Sequence, residues 1–367
     1  MEKILIENDI KSAWFENLKK LNVASQKGLV ERFDSTIGAN TVLMPYGGKN
    51  QLTPPEAMAA KVPMLTADTT TATLMSYGYN PEISKWSPFH GASYAVIESL
   101  AKIVATGGNY ESVRLTFQEY FEKLGTDHAK WGKPFAALIG AFQAQMNMGT
   151  AAIGGKDSMS GTFMDLTVPP TLVSFAVDVA NVDNIISPEF KKAGNKVVYL
   201  PVKRDKYDLP DYGYIKEMFK LVSSLIEKGI CISAHTVRTG GIAEAISKMS
   251  FGNYIGVDLR DEIEVTELFK PEYGSFVLEL TNAKVIDFMG IDAVILGETI
   301  PEPVIKVMGA EIAIKDMVNT WEKPLEKVFP TKTKSDFEDA PIIDTFVVPE
   351  KKFPGIGLAK PKVFIPV

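Results

Sequence analysis

The stretch Gly154-Gly155-Lys156-Asp157-Ser158-Met159-Ser160-Gly161-Thr162-Phe163 concentrates more chemistry than any other part of the chain. Two glycines let a ligand approach the backbone with no Cβ in the way. Lys156 adds one fixed cation, Asp157 a carboxylate, and Ser158 and Ser160 two short hydroxyl donors. Backbone N–H groups beside a cation suit a phosphate. The spacing is not G-x-x-x-x-G-K-[ST], so this is no Walker A loop. A plain turn accounts for the same residues where nothing binds. The flanks favour a site: an apolar helical segment, Phe135 to Met148, precedes the stretch, and a strand-like run, Leu172 to Val179, follows it.

Three further groups carry polar chemistry, each with a simpler explanation beside it. His235-Thr236-Val237-Arg238-Thr239-Gly240-Gly241 follows a predicted strand and opens a helix. Gly240 and Gly241 there can present N–H groups to an anion with Arg238 alongside; a strand-to-helix turn with glycines for packing needs no ligand. Glu98 and Lys102 sit one helical turn apart, as an i,i+4 ion pair does; a metal-ligand role for Glu98 is the sharper alternative. Arg114, Thr116 and Gln118 alternate along one face of a predicted strand, lining either a polar pocket or a solvated edge. Trp86, Phe89 and His90 read as packing. No Ser/His/Asp arrangement and no paired-carboxylate motif is present.

The elements that must position these groups follow from periodicity. Residues 1 to 22 read as a helix, with Ile10, Trp14, Leu18 and Leu21 at spacings of three and four. Turns are expected at Pro45-Tyr46-Gly47-Gly48 and at Thr53-Pro54-Pro55-Glu56, and Thr66 to Met75 reads as extended. Ser84 to Pro88 reads as irregular. A helix from His90 to Ala105 places Ile97, Leu100, Ala101 and Val104 on one face and stops at Gly107-Gly108. Ser112 to Phe117 is a strand, and the Phe135–Met148 helix leads into the glycine-lysine stretch. A seam at Ile186 to Asn195 breaks both periodicities. Beyond it come strands at Lys196–Leu200, Ile230–Ser233, Tyr254–Leu259, Ser275–Leu280 and Ala293–Leu296. Helices alternate with them at Tyr214–Glu227, Gly241–Met249, Val265–Phe269, Ala283–Met289 and Asp316–Val328. The result is an α/β or α+β chain. Thr331 to Lys360 reads as a linker, and Pro361 to Val367 as the opening strand of something longer.

Composition narrows the function classes. A chain of 367 residues holds two ordinary domains, and 46% hydrophobic with 23% charged residues describes a soluble globular protein. A formal net charge of −6 argues against a nucleic-acid or anionic-membrane surface. Cys231 is the single cysteine, so no intrachain disulfide forms and a reducing, cytoplasmic setting fits. Three histidines and one cysteine do not make the usual zinc sets. The apolar run Phe135 to Gly155 carries Gln143, Gln145 and Asn147 and reads as a buried helix, not a membrane span.

Gly155-Lys156-Asp157-Ser158-Met159-Ser160 resembles the G-K-D-S-M-S signature of the large, single-chain phosphoribosylformylglycinamidine synthases. Ala24-Ser25-Gln26-Lys27-Gly28-Leu29 with Arg32-Phe33-Asp34 is similar to the opening of that enzyme's second synthetase half. Trp321 resembles the helix leading out of that half, and Lys362-Val363-Phe364-Ile365-Pro366-Val367 the first strand of its glutaminase domain. The resemblance covers essentially the whole chain. It implies a two-domain unit like aminoimidazole ribonucleotide synthetase, with domains 1–190 and 191–318, and 319–367 as linker and start of a truncated glutaminase. It implies ATP-dependent amidination of formylglycinamide ribonucleotide with glutamine-derived ammonia, in purine biosynthesis, with Mg²⁺ and ATP used by the full-length enzyme. The partners it implies are the first synthetase half and the glutaminase, without which the chain is expected to be inactive. A homodimer through residues 1–190 is expected in their absence. By that resemblance Lys156 meets nucleotide phosphate, Ser158 substrate or phosphate, and Asp157 orients Lys156. Gly154, Gly155, Ser160, Arg114 and Thr116 complete the phosphate-binding set.

Many members carry H-D-x-S-x-G-G at a second, structural Mg–nucleotide site. Here His235, Gly240 and Gly241 remain, but Thr236 stands for the aspartate, Arg238 for the serine, and Lys102 for the asparagine that follows Glu98. A cation in place of a neutral ligand repels Mg²⁺, so this auxiliary site is expected to be altered or empty. Two rival readings are a non-catalytic scaffold half and a complete small ATP-dependent synthetase. The second needs its own glycine-rich ATP loop and acidic metal ligands near the N-terminus, and the sequence offers neither.

Overall fold

Runs of alternating apolar residues build two sheets, and one helix with small side chains lets both pack against it. The computed structural model describes residues 9–33, 40–282 and 290–331. The expected helix at 283–289 and the terminal strand lie outside the described residues, as do Asp34 and all of the expected linker after Thr331. The chain opens with α1 (Ile10–Lys19), where the Asp9 carboxylate accepts the Ser12 N–H at 3.1 Å, and the short α2 (Lys27–Val30). Next come β1 (Met58–Lys61), β2 (Thr71–Gly78), α3 (Pro81–Trp86), α4 (Pro88–Ala105), β3 (Arg114–Tyr120), α5 (His128–Met148) and β4 (Ala151–Lys156). A small hairpin, β5 (Thr162–Phe163) and β6 (Leu166–Thr167), leads into the long β7 (Thr171–Asn181).

These strands form a five-stranded sheet in the order β1-β2-β7-β3-β4. The last two strands are parallel because α5 carries the chain back between them; the other neighbours are antiparallel. Leu74, Leu115, Leu172 and Ala176 point to the α4 and α5 side and are buried. The opposite face carries Met58, Met75, Tyr77 and Val179, all exposed.

The second sheet follows: β8 (Lys196–Leu200), α6 (Tyr212–Glu227), β9 (Cys231–Thr236), α7 (Gly241–Phe251), β10 (Gly256–Leu259), α8 (Val265–Leu268), β11 (Phe276–Leu280), β12 (Val294–Ile300), β13 (Val304–Val307), β14 (Ala310–Ala313) and α9 (Ile314–Glu326). Its strand order is β14-β13-β10-β12-β8-β11-β9. On α6 the predicted inward residues Ile215, Met218, Phe219, Val222, Leu225 and Ile226 are all buried.

Every residue of α4 from Gly91 to Ala105 is buried, where the sequence suggested one apolar face. Gly91, Ala92, Ser93, Ala95, Ser99, Ala101 and Ala105 keep this helix thin enough to lie between the first sheet and the β9–α6 side of the second. One apolar core therefore runs from the first sheet through α4 to α6 and the near face of the second sheet. A second core joins α1, α7 and α9 to the far face, with Trp14 and Trp321 completely enclosed.

Other differences have local causes. Residues 84–88, read as irregular, hold the end of α3 and the start of α4. Asn80-Pro81 and Ser87-Pro88 are two successive cap-and-proline starts, and the Asn80 side chain accepts the N–H groups of Glu82 and Ile83 at 2.8 and 2.9 Å. Helix α5 begins seven residues before the predicted Phe135 in spite of Pro134, because Asp127 caps it, accepting the Ala129 N–H at 2.9 Å. The β13–β14 hairpin escaped the sequence reading. Its two-residue turn, Met308-Gly309, has both φ values positive, at 48° and 73°.

Candidate functional site

Gly154, Gly155 and Lys156 are strand residues, not the loop the sequence suggested. They end β4 and lie in register with β3, with Thr116 opposite Gly154, Phe117 opposite Gly155 and Gln118 opposite Lys156. A Cβ on Gly155 would stand 2.5 Å from the Phe117 carbonyl oxygen, so only glycine permits this approach. A register shift between Leu115 and Thr116 lets Ile153 bulge out of the ladder into solvent.

The ladder continues past the end of β4. Ser158 N–H donates to the Glu119 carbonyl at 3.1 Å, and Phe121 N–H donates to the Ser158 carbonyl at 2.9 Å. Ser158 therefore faces Tyr120 across the pair, and Asp157 faces Glu119. Because side chains alternate along a strand, Lys156 and Ser158 share the open face of the sheet with Arg114, Thr116 and Gln118. Asp157 and Glu119 belong to the helix-covered face. This corrects the expected role of Asp157: the pleat sends it away from Lys156, and the two form no ion pair.

On the open face Lys156 is exposed and makes no side-chain hydrogen bond with any described residue. The Ser158 and Ser160 hydroxyls lie 2.9 Å apart, leaving one O–H of the pair to donate outward. Thr116 Oγ1 donates to the Gly154 carbonyl at 3.2 Å. Arg114 turns back on its own strand, donating to the Ser112 and Val113 carbonyls at 3.1 and 3.0 Å. On the other face, Gly154 to Asp157 border an open cavity of about 510 Å³ whose remaining wall includes Phe117, Glu119, Leu138 and Phe142. Glu119 was not singled out from sequence. A carboxylate in the buried phase of the run Leu115, Phe117, Glu119 was the available signal.

The auxiliary group is drawn together at the junction of the two sheets, but as a closed network of ion pairs. Lys102 Nζ lies 2.7 Å from Glu98 Oε1, donates to the Tyr77 carbonyl at 2.7 Å and stacks 4.4 Å from the Tyr77 ring centre. The other Glu98 oxygen accepts the Tyr79 N–H at 3.0 Å. Glu56, missed from sequence because nothing near Pro54-Pro55 marks it, accepts from the Thr236 N–H at 3.1 Å, from the Thr236 hydroxyl, and from Arg238 at 3.1 Å. His235 Nδ1–H donates to the Thr236 carbonyl at 2.7 Å, leaving Nε2 to accept from Arg238 at 3.3 Å. Gly240 N–H, expected to meet an anion, donates instead to the Glu244 carboxylate at 2.7 Å, which also holds Lys248 at 2.5 Å. Lys102, Arg238, Lys248 and Glu56 line a cavity of about 310 Å³ with Tyr46, Tyr77 and Trp321. Among the described residues no group of three or more His, Cys, Asp or Glu side chains is arranged to hold a metal ion. Each carboxylate here already faces a lysine or arginine, so the residues present do not fit Mg²⁺.

No protein-family model matches the chain. It is 23% identical over 336 residues to the phosphoribosylformylglycinamidine synthase subunit PurL of Thermus thermophilus, an alignment covering 84% of this chain and 44% of the relative. The chain thus spans less than half the length of that curated relative. PurL of Thermotoga maritima, solved in complex with FGAR, superposes with a TM-score of 0.64 at 14% identity, over 94% of this chain and 58% of that one. Thiamine monophosphate kinase from Aquifex aeolicus superposes with a TM-score of 0.50 at 12% identity, over 69% of this chain and 94% of that one. The fold is therefore the mixed α/β fold of aminoimidazole ribonucleotide synthetase-like proteins. Within that class, the likeness found by sequence is to PurL, as the glycine-lysine signature suggested. Among the described residues no helix is long and apolar enough to cross a membrane.

The junction network makes stability acid-sensitive. Burial alone would raise the Glu56 carboxyl, but Arg238, His235 and Lys102 outweigh it and hold it at about 2, below its ordinary 4.5. Burial pushes His235 down to about 4 from 6.5, against the pull of Glu56. In both windows the unfolded chain binds more protons, so stability falls as pH drops from about 6.5 toward 2. Glu56→Gln leaves Arg238 without its counter-charge and should cost about 3–5 kcal/mol at pH 7. It should also flatten the loss of stability between pH 4.5 and 2. Urea denaturation of both proteins across this range checks it; an unchanged acid limb in the variant refutes the assignment.

Proposed function

We propose that this chain is the second synthetase-type half of a phosphoribosylformylglycinamidine synthase, with lobes at residues 1–190 and 191–318 followed by a connection toward a glutaminase. The observation that carries this reading is the open-face group: a Lys156 ammonium with no partner among the described residues and the Ser158–Ser160 hydroxyl pair on a sheet face that no described element covers. Partial coverage of the PurL relatives supports a half rather than a whole synthetase. In the complete enzyme ATP phosphorylates the amide oxygen of formylglycinamide ribonucleotide, and ammonia then displaces phosphate through an iminophosphate. The demand on the protein is positioning and charge neutralisation. Lys156 neutralises a phosphate, the free O–H of the Ser158–Ser160 pair donates to one of its oxygens, and Gly154 leaves the backbone bare beside them. Thr116 and Arg114 sit on the same face as supports.

The auxiliary site is read as replaced: the Lys102 ammonium, bound to Glu98, takes the place that a divalent cation would need. The open sheet face with Met58, Met75, Tyr77 and Val179 is the surface a twin half would cover, and alone it pairs two copies of this chain.

In the assembled enzyme, Lys156→Ala should lower ammonia-dependent kcat/KM by about 100-fold or more, and the chain by itself should show no ribonucleotide-dependent ATP hydrolysis. Unchanged kcat/KM in the variant, or robust turnover by the chain alone, defeats the reading. Adding Mg²⁺ and ADP should leave the melting temperature of the chain unmoved; a saturable rise would show an intact auxiliary site. Light scattering at micromolar concentration should give twice the chain mass, and Tyr77→Glu on the open face should return it to one; a monomeric parent protein rejects the pairing.

A further inference from the structure

The cavity between α5 and the ends of β3 and β4 is bordered by Gly154 to Asp157, Lys156 included, and the phosphate chemistry above makes no use of it. We propose that it is a binding site for a protonated amine, held by the carboxyl pair Glu119 and Asp157 with its nitrogen at the strand ends and any alkyl body against Phe117, Leu138 and Phe142. The inference does not depend on the reading of the other face.

The pair is built by the backbone. Adjacent strands run about 4.8 Å apart, so two carboxyls at facing positions can share one N–H donor. Glu119 is 7% exposed, and its Oε1 is enclosed with no hydrogen-bond partner. A buried acceptor of this kind calls for a donor, and no described residue supplies one; Lys156, which also borders the cavity, makes no hydrogen bond to it. On α5, the Gln145 amide nitrogen donates to the Ala141 carbonyl at 3.2 Å and its oxygen accepts the Ala152 N–H at 2.8 Å. Lys130 and Lys133 of α5 are held by Glu122. On β7, Leu172 faces Glu119 across the ladder. The only charge acting appreciably on Glu119 among the described residues is Asp157, which is exposed at the cavity edge.

The wall chooses the ligand. Two carboxyls reject an anion, and two alone fall short of a metal cluster. Phe117 and Phe142 line the cavity and give apolar and aromatic contact to the body of an organic cation. A volume of about 510 Å³ exceeds what a bare cation needs and leaves room for an alkyl chain. Burial, reinforced by Asp157, raises Glu119 to about 7, so near neutrality Glu119 is partly protonated. When the amine cation binds, the proton on Glu119 leaves for solvent and the O–H bond is replaced by an N–H···O⁻ contact. Binding is therefore linked to proton release.

Calorimetry of the whole chain at pH 7, without nucleotide or ribonucleotide, tests this with n-butylammonium and ammonium chlorides in two buffers of different ionisation heat. Potassium and tetramethylammonium chlorides, which lack N–H donors, serve as controls. Saturable binding of an amine with release of a fraction of a proton is expected, weakened about tenfold or more by Glu119→Gln. Tighter binding of butylammonium identifies an alkylamine as the ligand; equal or tighter binding of ammonium identifies the bare cation. No saturable binding in the millimolar range, an equal response to potassium, or unchanged binding in Glu119→Gln overturns the proposal. If that variant fails to fold by circular dichroism, Asp157→Asn, at an exposed position, carries the same test. The measurement is blind to phosphate binding, so either reading can fail without the other.

Discussion

Charge neutrality in a buried junction is the constraint on which the rest of the structure depends. Glu98, Lys102, Glu56, Arg238, Glu244 and Lys248 meet where the two sheets approach, and each charge is answered by an opposite one. Glu56 comes from the first half of the chain, and Thr236 and Arg238 from the second, so the network is also the polar seam between them. A buried charge without a partner would cost several kcal/mol. The lysine at 102 makes sense only together with Glu98 and the Tyr77 carbonyl, and Gly240 is satisfied by a side chain of its own helix instead of a ligand. Substituting one member alters the electrostatics of all of them.

Alternation along β3 and β4 is the second constraint, and it splits a six-residue motif between two faces of the sheet. Lys156 and Asp157 are adjacent in sequence and on opposite faces in space. One face is open, apolar at its centre and cationic at its edge. The other is roofed by α5 and carries two carboxyls over an apolar cavity. Gly155 makes this possible, because the strands approach too closely there for any side chain. The motif is therefore a strand end with side chains on both surfaces, not a loop.

The thin, fully buried α4 accounts for the remaining architecture. Its small residues let the first sheet and the β9–α6 side of the second lie against opposite sides of one helix. That arrangement leaves the far face of the first sheet uncovered, with Met75, Tyr77 and Val179 exposed on it and Lys156 at its β4 edge.

The sequence by itself determined the elements with strong periodicity: α4, α5, α6 and the strands of the second half other than the β13–β14 hairpin, together with the resemblance to phosphoribosylformylglycinamidine synthases read from residues 155–160. It also put cations at positions 102 and 238, where the resemblance led to an expectation of neutral ligands, since charge is a property of residue type. Adjacent-cap signals at Asn80-Pro81 and Ser87-Pro88 were legible but passed over, as was the acidic residue in the buried phase of β3. Only the tertiary structure decided which face Lys156 and Asp157 take, because that depends on where the ladder with β3 begins and on the shift at Leu115. It alone brought Glu56 to Arg238, since partners separated by 182 positions leave no local trace.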